Sequence, residues 1–205
     1  MMVGDQRERS NQEGHAGRAG RASAELVEVV TIDGTVIDVV TRAEMRHHNL
    51  RHRCTYVAVL VGPSDRAGTE LTADGDTELW VHKRASWKDT NPSFWDIAFG
   101  GVCDVGEDWH RSAERELAEE AGITDAPLLD LGSFEYDDAT TRVLGQCFVA
   151  WWPEEPSCPD GEVVALERLR LADLDGWLGD HDVCADSVAA MVPRLTSGID
   201  RDTPR

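Results

Sequence analysis

The chain has 205 residues, 41% of them apolar, and a formal net charge of −19. That composition excludes wholesale disorder and suits one globular core. So acidic a body repels nucleic-acid backbone and anionic membrane, so neither is expected as a partner, and a polyanionic substrate needs cations at its site.

Residues 1–24 hold Arg7, Arg9, Arg18 and Arg21 against Asp5, Glu8 and Glu13, four positive and three negative charges. With +1 there, the other 181 residues carry −20. The stretch has no hydrophobic period and reads as a disordered tail. It lacks the apolar run of a secretory signal, and no later run reaches the ~20 apolar residues a membrane helix needs. The expected organisation is a tail at 1–24, a folded domain at 25–196 and a short tail at 197–205. The five cysteines, Cys54, Cys103, Cys147, Cys158 and Cys184, include no Cys-x-x-Cys pair. An odd, unpaired set argues against a disulfide framework or zinc knuckle and for a reducing, cytoplasmic setting.

"ELVEVVTIDGTVIDVVTR" has two β-branched runs about a "DG", the pattern of a hairpin. "MRHHNLRHR" is a polar connector or short helix. "CTYVAVLVG", 54–62, predicts a buried strand. Residues 63–77 are turn-rich, and "ELWVHKR", 78–84, alternates like a half-buried strand. "WDIAFGG", 95–101, predicts a short strand running into glycines. Over 108–121, Trp109, Ala113, Leu117 and Ala121 recur every four positions, so a helix is expected, with Gly122 as its C-cap. "LLDLGSFEYDD" and "RVLGQCFVAWW" predict two strands about a loop at 137–142. "EVVALERLRLA", 162–172, reads as a strand and a turn, and "LADLDGWLG" and "DSVAAMVPRL" as short helices, the second with Pro193 near its end. This order implies an α+β layer fold with mixed strand pairing.

One stretch, "GGVCDVGEDWHRSAERELAEEAGI" from Gly100 to Ile123, carries the chemistry. Glu116, Glu119 and Glu120 stand at i, i+3 and i+4 and share one helix face, where like charges repel. Two readings stay open on spacing alone: a solvated acidic face, or a site for a hard cation such as Mg²⁺ or Mn²⁺, which takes oxygen ligands. Gly100 and Gly101 let backbone approach a ligand closely and expose a carbonyl to a metal. Arg115 is placed to orient a carboxylate.

Gly101, Glu107, Arg115, Glu116, Leu117, Glu119, Glu120, Gly122 and Ile123 fill every fixed position of G-x5-E-x7-R-E-U-x-E-E-x-G-U, where U is apolar. This resembles the Nudix box of the Nudix hydrolase family. The resemblance implies a Nudix fold, a mixed β-sheet sandwiched between α-helices, with the box as loop–helix–loop. It also implies hydrolysis of a diphosphate linkage in a nucleoside diphosphate derivative or related small molecule, with Mg²⁺ or Mn²⁺ as cofactor. Carried over, Glu116, Glu119 and Glu120 are metal ligands, beside the Gly100 carbonyl that the glycine pair itself suggests. Glu116 or Glu120 activates water, Arg115 orients the carboxylates, and Glu107 is its structural partner. Dimers are frequent in the family, which leaves a homodimer open.

"HKRASWKDTNPSFWDIAFGG" also resembles the branch that includes isopentenyl-diphosphate isomerase, where basic residues of this segment bind diphosphate. Lys83 and Arg84 are the expected phosphate contacts; Lys88 reads as an ordinary exposed loop residue. Trp95 is the tryptophan expected beside the substrate. Glu162 is expected as a further catalytic carboxylate, by resemblance to Nudix enzymes with a late acidic ligand or base. Zinc at His47, His48 and His52 is disfavoured for want of a second anchor, and Cys103 reads as a small buried residue. The alternatives are an isoprenoid diphosphate isomerase and a non-catalytic nucleotide-sensing module. Residues 94–101, "FWDIAFGG", lack the isomerase cysteine, and every acidic position of the box is present.

Overall fold

The computed structural model describes residues 24–63, 71 and 73–197. The two expected tails fall almost wholly outside the described residues, as does most of the 63–77 loop.

The chain opens with the expected hairpin: β1 (Leu26–Val30) runs antiparallel to β2 (Val36–Thr41). Gly34, at φ 83°, turns the corner, with its N–H bonded to the Thr31 carbonyl at 3.0 Å. Helix α1 (Arg42–His47) follows at once. Thr41 caps the Glu44 amide, and the Glu44 carboxylate reaches back to the Thr41 amide, a full capping box.

Strand β3 (His52–Val61) is the centre of the sheet. It runs parallel to β7 (Arg142–Trp152) in unbroken register from His52–Val143 to Val61–Trp152. Strand β6 (Leu128–Asp137) is antiparallel to β7. On its other edge β3 meets β4 (Glu78–Arg84) at Val59–Trp80 and Leu60–Leu79, and β4 pairs with β8 (Val163–Arg170). Parallel and antiparallel pairs thus share one sheet, as an α+β fold with mixed pairing requires.

The expected strand at 95–101 is only partly one. Trp95–Asp96 (β5) pairs with β4, after which the chain crosses to β3. Val57 and Phe99 exchange both backbone bonds, at 2.7 and 2.9 Å, and the Thr55 amide bonds the Gly101 carbonyl at 2.9 Å. The segment leaves β4 because β3 and β4 diverge beyond Val59, leaving β3 donors that need partners. That crossing seats Gly100 and Gly101 against the middle of β3.

Both faces of β3 are covered, which explains its apolar run. Tyr56, Ala58 and Leu60 join a core with Leu174 of α3 (Leu174–Asp180) and Ala190, Met191 and Leu195 of α4 (Ala185–Leu195). Val57 and Val59 join a second core beneath α2 (Trp109–Glu116), with Ala113, Leu117 and Ala121. Helix α4 continues through Pro193; the proline removes one bond to Ala189, which is exposed and open to water.

Asp108 caps α2 by accepting from the Arg111 amide at 3.0 Å. The expected single helix over 108–121 changes character at Leu117. Its last turn, Leu117–Ala121, widens to a π-helix and closes on Gly122 at φ 68°. Leu117, 2% exposed, is the largest side chain this helix buries. Leu117→Ala should cost about 2–5 kcal/mol of stability, read from the denaturant midpoint. A cost below ~1 kcal/mol would mean that the helix is not fastened through this face.

Candidate active site

The glycines come first, because the carboxylates are placed against them. Gly100 has φ 149°, and a Cβ there would lie 2.0 Å from the Thr55 carbonyl oxygen. Its N–H donates to Glu120 Oε2 at 3.1 Å. A Cβ on Gly101 would lie 2.7–2.8 Å from the three carboxyl atoms of Glu116. The Gly122 position is closed too, with Ser157 Oγ 2.0 Å from where a Cβ would stand. These glycines are what let a helix turn bearing three carboxylates pack on the sheet.

Glu116 and Glu120 are buried, 8% and 5% exposed, while the Glu119 side chain stands at the rim, 58% exposed. Arg115 lies among them. Its Nε and Nη2 grip the Glu107 carboxylate at 3.1 and 2.9 Å, and its Nη1 donates to Glu116 at 2.8 Å and Glu119 at 3.3 Å. Burial works against the Arg115 charge, but Glu107 and Glu116 outweigh it and hold the guanidinium protonated.

Burial pushes the Glu120 carboxyl up to about 8, and the Glu116 charge adds to it, against the pull of Lys88 and Arg84. Burial raises Glu116 as well, against Arg115. The folded protein therefore holds a proton at Glu120 that the unfolded chain releases near pH 4.5. Between those values the folded state binds more protons, so metal-free stability contributed by this group falls as pH rises. Glu120→Gln should remove that slope: its melting temperature relative to wild type should climb from pH 5.5 to pH 8.5. A difference that stays flat across that window would show that Glu120 ionises freely.

These residues open onto a cavity of about 670 Å³. Arg84 lines it, with Nη1 3.6 Å from Asp96 Oδ2. Glu162 lines it, ion-paired with Lys88, whose Nζ also lies 3.9 Å from Glu120 Oε1. Lys88 is thus no ordinary exposed residue, since its side chain is largely buried between two carboxylates.

Lys83 and Trp95 do not line the cavity. The strand is irregular between the two basic residues, and Arg84 reaches the cavity while Lys83 does not. Its Nζ lies 5.8 Å from the Trp95 ring centroid, and Trp95 packs edge-on against Trp177 and His181 in the core. The structure does not bring these two expected substrate contacts to the cavity wall.

The cavity lining also holds residues without a motif in the sequence. The Tyr56 hydroxyl donates to Asp186 Oδ2 at 2.8 Å, and Asp96 and Cys184 lie nearby in the same lining, as do Arg42 and Arg46 from α1. Among the described residues no three His, Cys, Asp or Glu side chains converge as they stand on one metal position. His52 is buried, lowered by burial to about 4, with Nδ1 3.0 Å from the Leu50 carbonyl, so it is a neutral core donor. Cys103 is buried, as expected.

A family model described as the NUDIX domain matches residues 66–188, more than half of the chain. The chain belongs to the Nudix hydrolase family. A Salmonella typhi Nudix hydrolase, YfcD, is 32% identical over 163 residues, covering 80% of this chain and 77% of that one. A Pseudomonas aeruginosa Nudix hydrolase, PA4841, is 35% identical over 127 residues, covering 62% and 68%. Among solved structures, DR0079 from Deinococcus radiodurans superposes with a TM-score of 0.67 at 20% identity, covering 83% of this chain and 99% of that one. The Nudix domain of Shewanella oneidensis NrtR, solved with ADP ribose, gives 0.54 at 14% identity over 77% and 98%. The Nudix fold, a mixed sheet sandwiched between helices, is therefore the fold of this chain, and its class is Nudix pyrophosphohydrolase. In the Nudix box so placed, loop 100–108, helix α2 with its π-turn, and Gly122 and Ile123 directly after it carry the nine fixed positions. No described helix is long and apolar enough to cross a membrane.

Proposed function

We propose that this Nudix hydrolase cleaves a diphosphate linkage in a nucleoside diphosphate derivative or related small molecule, with Mg²⁺ or Mn²⁺ held by Glu116, Glu119, Glu120 and the Gly100 carbonyl. The carrying observation is a pair of buried carboxylates, with a third at the rim, on one helix turn at the wall of a large cavity. The donor set is all oxygen, which suits hard divalent cations. Burial raises both inner carboxyls, the mark of charges short of a counter-ion, and Arg115 and Lys88 supply only part of it.

Bound metal ions would neutralise phosphate oxygens and lower the pKa of water. The protein's own groups do the rest. Glu116 or Glu120 takes the proton of the attacking water; both are buried at the cavity wall. Arg115 fixes Glu116 and Glu119 while anchored on Glu107. Arg84 and Lys88 bind phosphate oxygens, and Glu162 holds Lys88 toward the cavity or serves as a second base. Tyr56, Asp96 and Asp186 face the remainder of the substrate. A cytoplasmic setting belongs to the same reading, as does a homodimer, for which the hairpin offers exposed Ile32, Val36, Ile37 and Val39; light scattering checks the latter.

The test is a panel of nucleoside diphosphates and triphosphates, nucleotide sugars, dinucleotides, ADP ribose and isoprenoid diphosphates, with products identified by mass. Cleavage at a diphosphate that Mn²⁺ restores after exhaustive chelation supports the reading. Isomerised, uncleaved isoprenoid or full activity in chelator refutes it. On the best substrate Arg84→Ala should raise KM about 10-fold or more and change kcat less, because it removes a ground-state phosphate contact.

A further inference from the structure

We propose that Glu28 and Arg53 are positioning residues for the carboxylates of the Nudix helix; the inference rests on the metal reading above. Neither lines the cavity, and both lie outside residues 66–188, the span of the family match. Glu28 stands on β1 and Arg53 on β3. Their side chains are 11% and 14% exposed and paired, with Arg53 Nη2 3.0 Å from Glu28 Oε2. Such a pair is a weak source of stability, because desolvation offsets the attraction. Its other partners show what it holds.

The second oxygen of Glu28 accepts the Gly106 amide at 2.9 Å. Arg53 Nη2 donates to the Glu107 carbonyl at 2.6 Å, and its guanidinium lies 4.8 Å over the Trp109 ring. Two side chains of the sheet thus pin the loop that leads into α2 at Gly106 and Glu107, and the start of α2 at Trp109. Packing does not hold that loop at its bend: Gly106 has φ 75°, and a Cβ there would meet nothing within 4 Å.

What is pinned is Glu107, the anchor of Arg115. The Glu107 carboxylate fixes the guanidinium through two bonds, and that guanidinium sets where Glu116 and Glu119 stand. The relay runs from β1 and β3 through Glu28 and Arg53 to Glu107, Arg115 and the metal-facing carboxylates. A shift of the Glu107 backbone moves two of the three carboxylates with it. Residues that orient metal ligands in this way commonly govern affinity for the metal.

The test uses the full chain, with Mn²⁺ alone as probe. Glu28→Gln keeps the shape and the acceptor for Gly106 but removes the charge facing Arg53. Mn²⁺ binding, followed by the paramagnetic resonance of the free ion, should weaken about 10-fold. In the metal-free variant the Arg115 Nε–H, held by Glu107 in the wild type, should exchange with water about 10-fold faster. Saturating Mn²⁺ should return turnover to within about threefold of wild type, with substrate KM unchanged. Arg53→Lys keeps the charge but is one bond short of Nη2, the atom that serves both Glu28 and Glu107, and it should behave alike; it decides the matter if Glu28→Gln does not fold. Unchanged Mn²⁺ affinity and Arg115 exchange, with only a lower unfolding midpoint, would make the pair a mere staple and overturn the inference. A wild-type chain that binds no Mn²⁺ sinks the metal reading itself, an outcome distinct from wild-type binding that the variants leave untouched.

Discussion

Glu116→Gln should lower turnover at saturating metal by at least ~100-fold, the order typical of losing a positioned base or metal ligand. The substitution keeps the size and reach of the side chain. It removes the charge that Arg115 Nη1 meets at 2.8 Å and that presses on Glu120. The fold should survive, because the amide oxygen still accepts from Arg115. Without its charged neighbour Glu120 loses one cause of its raised pKa, so the metal-free variant should be as stable as wild type or slightly more so above pH 7. Calorimetry without metal and single-turnover rates with it separate the two effects. Wild-type turnover in this variant would make the acidic turn a solvated face and leave the chemistry to be found elsewhere.

What could be read from the sequence follows how local the physics is. The spacing of Glu116, Glu119 and Glu120 puts them on one face whatever surrounds them, and the glycines bracketing the helix announce its ends. The capping box at Thr41 and Glu44 is equally legible as a T-x-x-E signal, and it starts the helix that runs into "MRHHNLRHR". That Arg84 reaches the cavity and Lys83 does not could not be read from "HKR", because the strand is irregular between them. The π-turn at Leu117–Ala121 carries no composition signal, since it follows from how the helix end seats against Ser157 and the sheet. Lys88 was beyond reach for a different reason. Its partner Glu162 lies 74 residues further on, and the Tyr56–Asp186 contact spans 130. The break at Asp96 was hidden too, because it depends on where β3 and β4 part.

The adjacent glycines should fail in opposite ways when each receives one methyl group. Gly100→Ala places a Cβ 2.0 Å from the Thr55 carbonyl, a backbone atom of the central strand, at φ 149° where side chains are strained. Neither partner can yield without parting the 99–101 segment from β3, so the cost should be about 3 kcal/mol or more. Gly101→Ala meets only the end of a side chain, the Glu116 carboxylate at 2.7–2.8 Å. That carboxylate can swing aside, and stability should change by less than ~1 kcal/mol. The displaced oxygen atoms then no longer stand where Arg115 holds them, and on the proposed reading Mn²⁺ affinity should fall about 10- to 100-fold. Denaturant midpoints and Mn²⁺ titrations of the two variants make the comparison. If Gly101→Ala unfolds the protein while Gly100→Ala is tolerated, the crossing segment is not seated on β3 as described. If Gly101→Ala is stable and binds Mn²⁺ like wild type, Glu116 is not a ligand, and Glu119 and Glu120 would have to hold the ion without it.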